Sequence, residues 1–198
     1  MENVNDRFTA WAEGLRLKPY RCPAGALTIG YGHNLDANGI PEEVADLLLN
    51  LDLAEADELL RKHYPSIVQY HHCWKLILRD MMFNLGQKRL AGMKKMLAAK
   101  ADNRYGEALA EMVDSNWFDQ VGQRSKALFV SAWRIQAPSD YIESIGYSRA
   151  RVDKDFRECF TKWLDYSDYG QKDNRSRFGK RPRIAKWIKA FGLQQAKS

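Results

Sequence analysis

The stretch from Leu17 to Asn38 constrains the fold more than any other. Pro19, Pro23, Gly25, Gly30 and Gly32, with Gly39 just beyond, punctuate short β-type pieces such as Leu27-Thr28-Ile29-Gly30. That texture predicts a small twisted sheet with tight turns. On both sides the apolar spacing is helical. Phe8, Trp11, Ala12 and Leu15 predict a helix over about residues 4–13. Pro41, Glu42 and Glu43 open a helix whose apolar face is Val44, Leu47, Leu48 and Leu51, and a second follows over about 53–63 with Leu53, Ala56, Leu59 and Leu60. Pro65-Ser66 begins a third. There Trp74, Ile77, Leu78, Met81, Met82 and Leu85 recur at i, i+3, i+4, i+7, i+8 and i+11 until Gly86 ends it, the pattern of a buried central helix. Shorter helices are expected over about 89–100, 104–114 and 123–135. The fold class is α+β: a small β-sheet lobe, a larger mainly helical lobe and a cleft between them.

The 198 residues suffice to bury a core without disulfides or a structural metal. No apolar run approaches the ~18 residues of a membrane span. The N-terminal residues carry neither a basic nor an apolar signal region, so the expected origin is the cytoplasm, without a signal peptide. Cys22, Cys73 and Cys159 include no C-x-x-C pair and read as reduced thiols. His71, His72 and Cys73 are adjacent, and neighbouring helical side chains diverge by about 100°, so no metal centre is expected, and no cofactor.

Charge divides the chain. Residues 142–198 hold 14 Lys/Arg against 7 Asp/Glu, a net of +7, whereas residues 1–141 have a net of −1. The expected organisation is a domain over 1–140 and a basic, aromatic C-terminal helical extension over 141–198. Phe156, Cys159, Phe160, Trp163 and Leu164 mark one short helix there. Another, over about 183–191, sets Ile184, Trp187, Ile188 and Phe191 against Arg183, Lys186 and Lys189. Such a tail is a solvated basic surface, a helix that engages anionic membrane or lipopolysaccharide, or a segment docked on the preceding domain. Nucleic acid is not expected as a partner, and the chain is expected to be monomeric.

One constellation can carry chemistry. Glu13 closes the first helix, and Cys22 and Thr28 lie on the sheet that follows. A carboxyl partly desolvated there makes a general acid, with a thiol and a hydroxyl holding a water opposite; a solvated glutamate in a last helical turn is the plainer alternative.

The segment resembles the phage-type lysozymes, glycoside hydrolase family 24. Glu13, Cys22 and Thr28 fall at the family's spacing of acid, eight residues, Asp or Cys, five residues, Thr. Glu13-Gly14-Leu15, Tyr20, Gly25, Thr28-Ile29-Gly30 and Gly32-His33 match its frame. Asp80–Gly86 with Phe83-Asn84, then Ala91-Gly92, Ser115, Trp117, Gln120, Gln123-Arg124 and Arg134, are similar to its later segments, so the likeness covers about residues 5–140. The resemblance implies a lysozyme-like fold and hydrolysis of the β-1,4 bond between N-acetylmuramic acid and N-acetylglucosamine in peptidoglycan. It implies Glu13 as general acid, Cys22 and Thr28 flanking the attacking water, and Phe83 and Asn84 lining the sugar cleft. Asn34 and Glu111 fall where family members contact substrate, although the residue types differ. His33 is expected to be structural, paired with an acid. Cys22 stands where Asp is usual. A free thiol titrates near ~8.5 and a neighbouring carboxylate would push it higher, so it would be mostly neutral; whether it acts as nucleophile, weak base or water-holder stays open. The implied role is an endolysin that lyses its host by acting on the wall after release through a separate pore. The alternative is a catalytically altered fold that binds peptidoglycan or serves as a secreted antibacterial toxin.

Overall fold

The computed structural model describes residues 4–167 and 172–194. The chain divides into two compact units, residues 1–52 and 53–198. In the first, α1 (Val4–Glu13) leads into a three-stranded antiparallel sheet of β1 (Arg16–Arg21), β2 (Leu27–Gly30) and β3 (His33–Asn34), followed by the single turn α2 (Leu35–Asn38). Tyr20 pairs with Thr28 and Thr28 with Asn34, so Thr28 sits in the middle of the central strand; it is buried. Gly30 and Gly32 take φ of 68° and 84° in the β2–β3 turn, a region that glycine enters without steric penalty.

α3 (Glu42–His63) begins in the first unit. It is one 22-residue helix, where the sequence suggested two. Neither glycine nor proline interrupts it at Leu51-Asp52-Leu53, and acids at its start with Arg61, Lys62 and His63 at its end suit the helix dipole. The apolar face expected to enter a core does so only in the second half, where Ala56 and Leu60 are buried; Val44, Leu47, Leu48 and Leu51 are exposed.

The second unit continues with a 3-10 turn (Pro65–Gln69) and then α4 (His72–Gly92), which buries Trp74, Ile77, Leu78, Met81 and Met82 as their spacing requires. At Gly86 the backbone leaves helical geometry (φ 72°, ψ 165°), the break the sequence placed there. α5 (Lys94–Ala101), α6 (Tyr105–Val113), α7 (Asn116–Gln120), α8 (Gln123–Arg134) and α9 (Pro138–Ser144) follow. After them come α10 (Arg149–Asp165), α11 (Asn174–Phe178) and α12 (Pro182–Ala190).

The boundary expected at residues 140/141 is not a structural one. Phe156, Phe160, Trp163, Ile184 and Ile188 are buried in the same hydrophobic cluster as Met81, Leu109 and Phe129. The apolar face of α12 is therefore core and is not offered to a membrane. Its basic face is largely partnered by acids of α6 and α7. The Arg181 guanidinium donates to Glu111 at 2.8 Å, and the Arg183 guanidinium and Lys186 ammonium pair with Asp119 at 3.4 and 3.2 Å. The correction has a simple cause: the excess of positive charge in the tail answers carboxylates roughly seventy residues earlier, a pairing invisible to a count along the chain. Within the polar stretch before α11, residues 168–171 lie outside the described residues.

Truncating a buried isoleucine removes its transfer free energy and leaves a cavity. Ile184→Ala should therefore lower stability by about 2–5 kcal/mol in urea unfolding, and a chain ending at Gly179 should fail to give a cooperative transition. A truncated protein with unchanged unfolding would show that α12 is dispensable.

Candidate active site

The sheet and its turns assemble the first three candidate residues. Glu13 is the last residue of α1, after which Gly14 turns the chain with φ 69° and its amide closes on the Ala10 carbonyl at 3.0 Å. The Glu13 carboxylate reaches the β2–β3 turn: a Cβ placed on Gly32 would lie 3.4 Å from Glu13 Oε2. Glycine at 32 thus serves both the turn and the approach of the carboxylate. Glu13 is exposed, which agrees with the solvated alternative for the free protein and not with the desolvated one.

Cys22 follows β1 and starts a tight turn. Its amide donates to the Ala26 carbonyl at 3.0 Å, and its carbonyl accepts from the Gly25 amide at 2.8 Å. Arg21 clamps the turn through the Gly25 carbonyl at 2.7 Å, and Asp36 holds its far end by accepting from the Leu27 amide at 2.8 Å. The thiol of Cys22 is held below its ordinary range, opposite to the direction expected from the sequence. Desolvation is the largest single influence and acts upward. Hydrogen bonds from the Ala26 and Ala24 amides, the Thr28 hydroxyl and the Gly25 amide together outweigh it. The other two thiols are buried and pushed up, Cys73 and Cys159 alike, chiefly by desolvation.

The Thr28 hydroxyl has a single proton to place. It lies 3.0 Å from the Ala26 carbonyl, which can only accept, and also within hydrogen-bonding reach of the Cys22 sulfur. With a neutral thiol, the S–H donates to Thr28 and Thr28 donates to Ala26. With a thiolate, the hydroxyl proton turns to sulfur. Cys22 and Thr28 are thus a coupled pair.

Asn34, across the ladder from Thr28, caps α2: its side-chain oxygen accepts from the Ala37 amide at 3.0 Å. His33 is structural as expected, but the partner seen is a backbone carbonyl, that of Gly39 at 2.7 Å from Nε2. A carbonyl only accepts, so Nε2 carries the proton.

The remaining candidates lie on the second unit. Phe83 on α4 is partly exposed, with the Arg124 guanidinium 5.7 Å from its ring centroid. Arg124 grips Asp80 through two bonds of 2.8 and 2.6 Å. The Asn84 oxygen accepts from the Trp117 indole at 2.8 Å, and the Glu111 carboxylate is held by Arg181. Sequence reasoning missed the positioning residues Arg21, Asp36 and Arg181. Each acts on a backbone group or a distant carboxylate, and no spacing rule marks them.

A helix-terminal carboxylate, a hydrogen-bonded thiol and a threonine on a small antiparallel sheet, joined to a helical unit, define a lysozyme-like α+β protein. The chain belongs to the phage lysozyme family, whose model matches residues 10–130. It is also similar to an endolysin of Acyrthosiphon pisum secondary endosymbiont phage 1, with 47% identity over 51 residues, or 24% of this chain and 35% of that protein. The match therefore spans about a third of that curated relative's length.

Thiol alkylation follows the thiolate fraction. Cys22 should react ahead of Cys73 and Cys159, with a half-maximal rate at a pH below that of a simple thiol. Peptide mapping after brief iodoacetamide treatment across pH 6–10 measures this. Labelling of Cys73 first, or a Cys22 midpoint above that of a free thiol, contradicts the hydrogen-bonded turn.

Proposed function

We propose that the chain is an endolysin-type muramidase that hydrolyses the β-1,4 bond between N-acetylmuramic acid and N-acetylglucosamine in bacterial peptidoglycan, lysing the cell from which a phage emerges. One observation carries this most directly: the Glu13 carboxylate lies beside the Gly32 turn of the sheet that holds Thr28, with Cys22 in the adjoining turn. Membership of the family supports it, and Glu13 is retained, which favours an enzyme over a module that only binds the wall.

In this mechanism protonated Glu13 donates to the glycosidic oxygen as its bond to the anomeric carbon breaks. Binding of the glycan excludes water from the exposed carboxyl. A water held by Thr28 and Cys22 attacks the anomeric carbon. Its proton passes to the Cys22 thiolate, which the turn amides stabilise, and solvent then returns each group to its starting state. When ionised, Cys22 also lends negative charge to an oxocarbenium-like transition state. Phe83, Asn84, Glu111 and Asn34 are assigned to contacts with the sugar chain. The protein acts on the wall after release from the cytoplasm.

General acid catalysis contributes about 10²–10⁴-fold. Glu13→Gln should therefore reduce clearing of peptidoglycan by at least a hundredfold while its thermal unfolding stays that of the parent. Cys22→Asp should retain activity, and Cys22→Ala should lose much of it. Lysis by Glu13→Gln within a few-fold of the parent would rule the mechanism out.

A further inference from the structure

Far along the chain from Glu13, Cys22 and Thr28, the second unit contains a cavity of about 350 Å³ whose wall includes Trp74, Tyr105, Trp133, Tyr166, His71 and Ile135. Three features set it apart from an ordinary packing defect. First, Ile135 ends α8 in the left-handed region, at φ 54° and ψ 42°. A β-branched residue pays steric strain there, yet its side chain is 61% exposed at the mouth, so no burial compensates. Second, Lys100 is 1% exposed behind two of the wall's rings, and its ammonium has no hydrogen-bond partner among the described residues. The charge faces aromatic rings: Tyr70 at 3.7 Å, Tyr105 at 4.8 Å and Trp74 at 5.6 Å. Burying an ammonium this way costs stability, and the same contact fixes those rings in place. Third, Trp133 and Tyr166 meet edge to face, with centroids 5.6 Å apart, and Tyr105 and Tyr166 are both partly exposed. Strain, an unsatisfied buried charge and preset rings thus converge on one cavity.

The chemistry of the wall selects the ligand. Among the described residues no carboxylate, guanidinium or ammonium lines it, so a charged ligand would lose hydration without a partner there. It is not wholly apolar either. The His71 Nδ1 accepts from the Cys73 amide, which leaves the proton of the neutral ring on Nε2 as a donor. An N-acetylated pyranose fits these terms. Its apolar ring face lies on an aromatic face, its acetamido methyl meets Leu109 and Ala132, and its carbonyl oxygen accepts from His71. A plain aromatic ring would use the faces and leave the donor idle.

We propose that this cavity is an accessory glycan site that holds an uncharged N-acetylglucosamine unit of the wall. The proposal rests on the muramidase reading for the identity of the glycan, and not on Glu13 for binding. The site would retain the enzyme on the glycan strand between cleavages.

The test uses the full chain with Glu13→Gln, so that no turnover occurs, and follows the six tryptophan indole N–H resonances during titration with chitotriose. The Trp133 signal is assigned by its loss in Trp133→Phe. It should shift saturably, and Tyr166→Ala should weaken the affinity at least fivefold. Ile135→Gly relieves the strained backbone and removes the lip; it should hold or raise the melting temperature while weakening binding threefold or more, so a loss there is not a loss of fold. Lys100→Met should leave the fold as stable or more so and also weaken binding. A Trp133 signal unmoved at saturating chitotriose overturns the proposal. So does unchanged affinity in Tyr166→Ala and Ile135→Gly, or a signal that answers to benzyl alcohol and not to the sugar. Retained lysis by Glu13→Gln would overturn the muramidase mechanism and leave this titration readable.

Discussion

The packing around Phe156 holds the second unit together. Its ring lies against Phe118 of α7, Phe129 of α8 and Phe160 of its own helix, and against Trp187 and Phe191 at the far end of the chain, all with centroids within 6 Å. Offset and edge-on aromatic pairs add to simple burial and are directional. Because one residue of α10 contacts elements before and after it, α8, α10 and α12 cannot move apart independently. The polar contacts are consistent with this. Tyr141 donates to the buried carboxylate of Asp155, which Arg151 and Arg134 also approach, so α8, α9 and α10 share one charged node beside the aromatic one.

That rigid body also sets the acids of α6 and α7 against the tail. Glu111 and Asp119 would be isolated carboxylates on α6 and α7 without the tail; Arg181, Arg183 and Lys186 neutralise them. Such half-exposed pairs contribute little each. Their effect is on specificity, since they set the register of α12 against α6 while its isoleucines supply the adhesion. The first unit works on a different scale. Its sheet is small, and its order comes from turns: the Cys22–Ala26 loop, the glycines at 30 and 32, and the Asp36 carboxylate on the Leu27 amide.

What the sequence made legible follows the range of the interaction involved. The sheet, the break at Gly86 and the first helix were readable because glycine, proline and apolar spacing act within a few residues. The acid–thiol–threonine spacing was readable as a resemblance. The continuity of α3 was missed because two adjacent apolar faces look the same whether or not a junction lies between them. The tail was misplaced because charge was summed along the chain, whereas its partners lie on α6 and α7. The shift of the Cys22 thiol was misjudged for a similar reason: amides of Ala24, Gly25 and Ala26 carry no side-chain signature, and only the closed turn aims them at sulfur.

The place of α12 has a consequence for synthesis. A ribosome releases the chain in order, so the buried faces of α4, α6 and α8 emerge long before Ile184 and Ile188 can cover them. Until residues 182–190 have left the tunnel, that core stays open and the unit cannot complete its fold. Nascent and prematurely terminated chains are then substrates for chaperones and proteases, not partly folded working units. Whatever the unit does, it does only as a whole molecule, and the fragments that translation errors leave behind add nothing to it.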